Sequence, residues 1–309
     1  MSAPTSPGLR FPGLRPGDLV RLVSPASYPD ERWVRESTEI LTSWGLAVDV
    51  GKHTLDEWGY MAGHDRDRLE DLNGAYRDPD VRAILTTRGG AGAYRIVDGL
   101  DCDAVRRDPK PLVGFSDITY LHLALWRRAR MPGIHGGIAG PRAASTVRRL
   151  LMTDERSVLR RDSGTDTATL STGGRATGVL VGGSLQAVAT SVGAGLPSLD
   201  GAILLLEAER PPGLGLGFVD RQLTQLRRSG ALHGLRAVAL GRFPGYEGYA
   251  DRGWTLHDVL ADRLLDLGVP VLGGLGIGHG ADPLATLLGT KADLDAEEGT
   301  LTVAPAAAF

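Results

Sequence analysis

Short apolar runs alternate with stretches whose apolar residues recur every three or four positions. Leu19-Val20-Arg21-Leu22-Val23 reads as a first buried strand, ended by Ser24-Pro25-Ala26-Ser27. A helix is expected from Glu31 to Trp44, stopped by Gly45, and a strand from Leu46 to Val50. Asp65 to Tyr76 has helical spacing, with Leu69 and Leu72 on one face, and Val81 to Thr87 reads as a buried strand leading into a helix from Ala93. Pro111 to Val113 is a short strand. After it Ile118, Leu121, Leu123, Ala124 and Trp126 trace a helix face. Pro132 to Gly136 reads as a strand and Ala144 to Met152 as a helix. Strand-helix alternation of this kind predicts an α/β fold with a parallel sheet covered on both faces.

Punctuation divides the chain. Residues 1 to 15 read as a flexible leader, and Asp154 to Gly174 is charged, rich in Ser, Thr and Gly, and poor in apolar residues. The expected division is an N-terminal domain over 11–155, a linker over 156–175 and a C-terminal domain over 176–309. In the second half, strands are expected at Ala176–Val181, Ala202–Leu206, Leu235–Leu240, Val269–Leu272, Ala285–Gly289 and Leu301–Val303. Helices are expected over Phe218–Arg228 and Leu256–Leu267.

Composition narrows the function classes. The 309 residues carry a net charge of −3, and Lys52, Lys110 and Lys291 are the only lysines, so no basic patch points to nucleic acid. The single cysteine, Cys102, excludes an intramolecular disulfide and a cysteine-based metal cluster. It precedes no expected helix start, so it reads as a passive thiol. No apolar run has the length of a signal peptide or a membrane span, which predicts a cytoplasmic protein. No helical His-x-x-x-His or paired-cysteine spacing would hold zinc, and no cofactor motif is complete.

Candidate chemistry begins at Gly114-Phe115-Ser116-Asp117-Ile118-Thr119. Ser116 falls between a strand and a helix, where a sharp turn would present its Oγ and the helix N-terminus would offer free N–H groups to an oxyanion. Ile118 stands where a Gly-x-Ser-x-Gly elbow has its second glycine, and a Ser N-cap with Asp117 in the first turn is the commoner local reading. Arg88-Gly89-Gly90-Ala91-Gly92 lacks the full dinucleotide or P-loop pattern. Its bare N–H groups could instead face a substrate carbonyl beside Ser116, because loops at the carboxyl ends of parallel strands share one site. His135 ends a strand and reads more readily as a histidine bonded within the fold than as part of the site. Glu207 closes the run Ala202–Leu206, with Glu209 beside it. His279 lies between Gly278 and Gly280, which gives it little packing from its neighbours and aims it at a cleft. Ser116, Glu207 and His279 stand in the order nucleophile, carboxylate, base.

The sequence resembles the LD-carboxypeptidase family of serine peptidases, which includes the microcin C self-immunity peptidases. The matching stretches are Leu14–Asp18, Ser24-Pro25-Ala26, Thr87–Gly90, Gly114–Thr119 with Leu121-His122, Ile134–Gly136, Gly182–Leu185, Leu204–Glu207, Asp220–Leu226, Gly278-His279 and Leu288-Gly289. The resemblance implies that Ser116 is the nucleophile, Glu207 the orienting carboxylate and His279 the base. It implies an oxyanion hole from Gly89, Gly90 and the N–H of Asp117. It also implies a flavodoxin-like half, a smaller mixed α/β half and a homodimer. The implied substrate is a small peptide or muropeptide ending in a D-amino acid, cleaved without metal or cofactor. Four places depart from the family pattern: Ala91, Ser184, Ala208 and the tail Gly280-Ala281-Asp282-Pro283. They bear on substrate identity. A detoxifying amidase of the same fold is the nearest alternative, although Asp154 to Gly174 offers no aromatic side chain to stack a base. A non-catalytic peptide-binding homologue and a generic esterase are the readings from other classes.

Overall fold

The computed structural model describes residues 8–309. Leu19–Val23 pairs in parallel with Ala47–Val50 on one side and Val81–Thr86 on the other. Leu112–Gly114 and Gly133–His135 extend the sheet in parallel. Numbered along the chain, these five strands lie in the order 2-1-3-4-5, the flavodoxin-like arrangement. Their near-continuous Val, Ile and Leu content follows from burial on both faces. A sixth strand, Thr286–Leu288, closes the edge antiparallel to Gly133–His135.

A second, seven-stranded sheet is mixed. Val271–Leu272, Ala237–Leu240, Ala202–Glu207 and Arg175–Ser184 run parallel. Lys291–Asp295, Thr300–Val303 and Ser157–Arg160 continue it antiparallel. The helices Leu185–Thr190, Leu216–Arg228 and Leu256–Leu264 bury Leu185, Val188, Val219, Leu223, Leu226, Val259 and Leu260 in one cluster with this sheet's Leu204, Leu206 and Val238.

The structure differs from the sequence expectation at four places. The segment 156–175 is not bare, since Ser157–Arg160 is an edge strand of the second sheet and Ser171 bridges Leu272. Of the expected leader, residues 1–7 lie outside the described residues. Phe11–Pro12, however, pairs in parallel with Ala307–Ala308, and Phe11 is buried. The helix expected from Ala93 is instead two 3-10 turns, Ala93–Arg95 and Val97–Gly99, broken at Ile96. A short helix, Cys102–Arg107, then starts after the Asp101 cap, so Cys102 does begin a helix. Its thiol is buried.

The carboxyl ends of the first sheet's parallel strands all open toward one place. The loops after Leu19–Val23 and Val81–Thr86 touch there, with the Ser27 N–H donating to the Gly89 carbonyl at 3.1 Å. This is the point where strand order reverses, and open parallel sheets place their sites at such a point.

Candidate active site

Ser116 follows Leu112–Gly114 on a tight turn and has a left-handed φ of 63°, a strained value for a residue with a side chain. Phe115, not Ser116, occupies the cap position of the 3-10 turn Ser116–Ile118, and no side chain caps it. The N-cap reading of Ser116 is therefore set aside. The absent second glycine has a local explanation. A Cβ on Gly114 would lie 2.8 Å from Ile118 Cγ2 and 2.3 Å from Thr86 Oγ1. The bulk at Ile118 is accommodated by the missing side chain at Gly114.

His279 reaches the serine from the second sheet's side. Its Nε2 is 3.0 Å from Ser116 Oγ, and its Nδ1 is 2.6 Å from Glu207 Oε2. The His279 backbone N–H donates to the same carboxylate oxygen at 3.0 Å. This close passage needs Gly278, which has a φ of 99° and whose Cβ would lie 2.4 Å from Glu207 Oε2. Phe115 packs edge-on against the His279 ring, with centroids 5.3 Å apart.

The two candidate carboxylates differ in their surroundings. Glu207 is 0% exposed, while the Glu209 side chain is 64% exposed and comes no nearer than 3.9 Å to His279 Nε2. Burial raises the affinity of Glu207 for a proton, but the imidazoles of His135 and His279 outweigh it and hold the carboxyl at about 2. Burial pushes His279 down, while the hydrogen bond and charge of Glu207, with Glu209 adding, leave it above its ordinary value.

Gly89 lies flat against the serine, since a Cβ there would be 2.8 Å from Ser116 Cβ. Gly90 has a φ of 92°, and a Cβ there would strike Ser27 Oγ at 2.3 Å. Asp117 braces this loop through Oδ2, which accepts from Ala93 N at 2.7 Å. Burial raises the Asp117 carboxyl to about 6. The buried Arg68 ties the loop from behind, with Nη1 donating to the carbonyls of Gly92 and Pro25 and Nη2 paired with Asp65. Sequence reasoning missed Arg68, because an arginine on an amphipathic helix reads as solvated.

Ser116 and His279 open into a cleft of about 570 Å³. Arg88, Ser184, Gln186, Glu209, Arg210 and Phe218 are among the residues lining it. A smaller recess of about 300 Å³ continues past Ser116 between Ala91, Tyr94 and Tyr120. Three of the departing positions, Ala91, Ser184 and Ala208, thus line the space beside the serine. Asp282, in the tail after His279, instead caps a helix, accepting from Ala143 N at 2.8 Å and Arg142 N at 3.1 Å. His135, expected to be hydrogen-bonded within the fold, is instead fully buried behind Glu207 with Nε2 3.5 Å from Oε1, and neither ring nitrogen has a hydrogen-bond partner, because its strand end is sealed between the two sheets.

Comparison with known proteins gives the same picture from outside. Residues 20–136 match the LD-carboxypeptidase N-terminal domain, and residues 177–294 match the LD-carboxypeptidase C-terminal domain. A putative carboxypeptidase of Streptomyces coelicolor is 39% identical over 303 residues, 94% of each chain. The murein tetrapeptide carboxypeptidase of Pseudomonas aeruginosa is 32% identical over 289 residues, 89% of this chain and 92% of its own. Among solved structures, an MccF-like protein from Bacillus anthracis superposes with a TM-score of 0.83, covering 96% of this chain and 99% of its own. Its 22% identity makes that a likeness of fold.

Proposed function

We propose a function on the premise that this chain belongs to the LD-carboxypeptidase family of serine peptidases: it removes a terminal D-amino acid from a muropeptide stem, with Ser116, His279 and Glu207 as its catalytic triad. The observation that carries this reading is the unbroken contact from Ser116 Oγ through His279 to the buried Glu207. His279 Nε2 takes the Ser116 proton as Oγ bonds to the scissile carbonyl carbon. N–H groups of Gly89, Gly90 and Asp117 receive the oxyanion. The C–N bond then breaks, and the proton on Nε2 passes to the departing amine. Water attacks the acyl-enzyme with His279 as base, which frees the shortened peptide and restores the serine. Every proton has a protein group to carry it, so the chemistry asks for no cofactor.

Arg88 and Arg210 supply cationic groups in the cleft for a terminal carboxylate. Arg210 is committed to the Leu214 carbonyl at 2.6 Å and to the Tyr249 ring at 3.7 Å, which leaves Arg88 the freer of the two. In this reading residues 11–155 carry the nucleophile, and 176–309 carry the carboxylate and base, joined through 156–175. The protein is cytoplasmic and works as a homodimer.

A fluorophosphonate probe is expected to label the protein and to fail on Ser116→Ala. A panel of muropeptides analysed by mass spectrometry is expected to show loss of one terminal D-residue from tetrapeptide stems. Labelling with no muropeptide turnover, but with cleavage of peptidyl-nucleotides, would favour the microcin-type alternative. Labelling that persists in Ser116→Ala would remove the triad reading.

A further inference from the structure

The hydrogen bonding of Glu207 is lopsided. Oε2 accepts twice from His279, while Oε1, in a side chain with no exposed surface, has no hydrogen-bond partner. The polar group facing Oε1 is His135 Nε2 at 3.5 Å, longer than an ordinary hydrogen bond. His135 is itself fully buried, and neither of its ring nitrogens has a hydrogen-bond partner. A buried ionised carboxylate with one unsatisfied oxygen, facing an imidazole in the same condition, is costly unless each serves the other.

The backbone leaves the ring little choice of direction. His135 ends the strand Gly133–His135, held between Gly114 and Thr286 in register. Phe115 stands edge-on to it at 6.2 Å, and a Cβ on Gly183 would come within 3.0 Å of its Cε1. The geometry points to His135 as a positioning residue for the family reaction: its Nε2–H steadies Glu207 through Oε1, so that Oε2 stays aimed at His279 Nδ1. This rests on the triad reading above. A second imidazole behind the carboxylate shares the negative charge, and so limits how tightly Glu207 holds the His279 proton.

The ionisable surroundings are few. His279 faces Glu207 from the loop after Val271–Leu272, and Glu209 lies 3.9 Å from the far side of that ring. His122, on the helix Thr119–Ala129, sits 6.4 Å behind His135, and burial keeps it neutral at working pH. Asp117 is spent on the glycine loop, and Arg242 turns to the Ala281 carbonyl.

The test is a pH profile of kcat and KM for His135→Ala, His135→Gln and His135→Asn. Loss of a hydrogen bond to a charged group predicts an about 10- to 100-fold fall in kcat for His135→Ala with KM little changed. Glu207 would then hold the His279 proton more firmly, so the acid limb should move to higher pH. The glutamine amide nitrogen falls near the place of Nε2, so His135→Gln should recover much of kcat and return the limb. His135→Asn fills most of the volume but stops short of Oε1, and should resemble His135→Ala. It serves as the deletion if alanine does not fold. In a His279→Ala background, His135→Gln and His135→Asn should turn over at the same residual rate. Wild-type kcat with an unmoved acid limb in His135→Ala, or equal losses in all three variants with no shift of that limb, would overturn the proposal. Neither result would touch the triad, which stands or falls with Ser116→Ala.

Discussion

Glu207 and Glu209 sit two positions apart, and strand alternation gives both the same face. Their environments separate them: one is sealed against His279 Nδ1 and the other stands in solvent. Glu207→Gln is expected to lower kcat about 10⁴-fold, because an amide leaves the imidazole in the wrong tautomer. Glu209→Gln should cost no more than several-fold. Steady-state kinetics on a muropeptide would rank them, and the reverse order would reassign the carboxylate. The pH dependence follows from His279. Only the neutral ring accepts the serine proton, and Glu207 raises its ionisation above the ordinary imidazole value. The rate of acylation should therefore climb through a pKa above that value, and Glu209→Gln should move this limb slightly downward. At this scale the sequence was legible where a residue's neighbours betray it, as with His279 between two glycines or Glu207 at the end of an apolar run. His135 was not legible as a partner of Glu207, because that contact exists only after two sheets meet.

Elements read well where the apolar pattern was long and poorly where it was inverted. Ser157–Arg160 escaped notice because its strand turns Ser157 inward and Val158 outward. Lys291–Asp295 offers only Ala292 and Leu294 to the core and passes as a loop. The helix Pro141–Met152 shows a different kind of hidden support. Gly140 at its start caps nothing with a side chain, and Asp282 arrives from the loop after His279 to do so. Asp282→Ala should destabilise the fold by about 1 kcal/mol, the usual cost of a lost cap, readable as a lower Tm. Asp117 carries the opposite sign of pH dependence from an ion-paired carboxylate. Its folded pKa is raised to about 6, so the native state binds its proton more readily than the unfolded chain does. That penalty is constant above about 6 and shrinks as pH falls from there toward the ordinary carboxylate range. Asp117→Asn should therefore show its largest gain in Tm over wild type above pH 6 and a shrinking one toward pH 4. A difference independent of pH would show that the buried carboxyl is not what titrates.

Across the whole molecule, the site depends on two sheets meeting. Ser116 comes from one sheet, and Glu207 and the loop bearing His279 come from the other. Among the described residues, the one grouping of His, Asp and Glu with metal-binding dimensions is His53, Asp67 and Glu70, and neither Glu207 nor His279 belongs to it. Turnover is expected to survive EDTA and metal-free purification. Loss on chelation, restored by zinc, would make His279 a ligand and end the serine mechanism. The parallel core was legible from alternation and glycine punctuation, and its flavodoxin-like order only through the family resemblance, whereas the crossing of Thr286–Leu288 back into the first sheet was not, since a strand of three residues carries no address. That crossing bears on how the protein is made. Ser116 leaves the ribosome early, His279 comes more than 150 residues later, and the edge strand beside His135 follows only after it. On the proposed mechanism a nascent chain displays its serine well before the segment bearing His279 exists, and stays hydrolytically silent until that segment and the edge strand after it have been made and folded back.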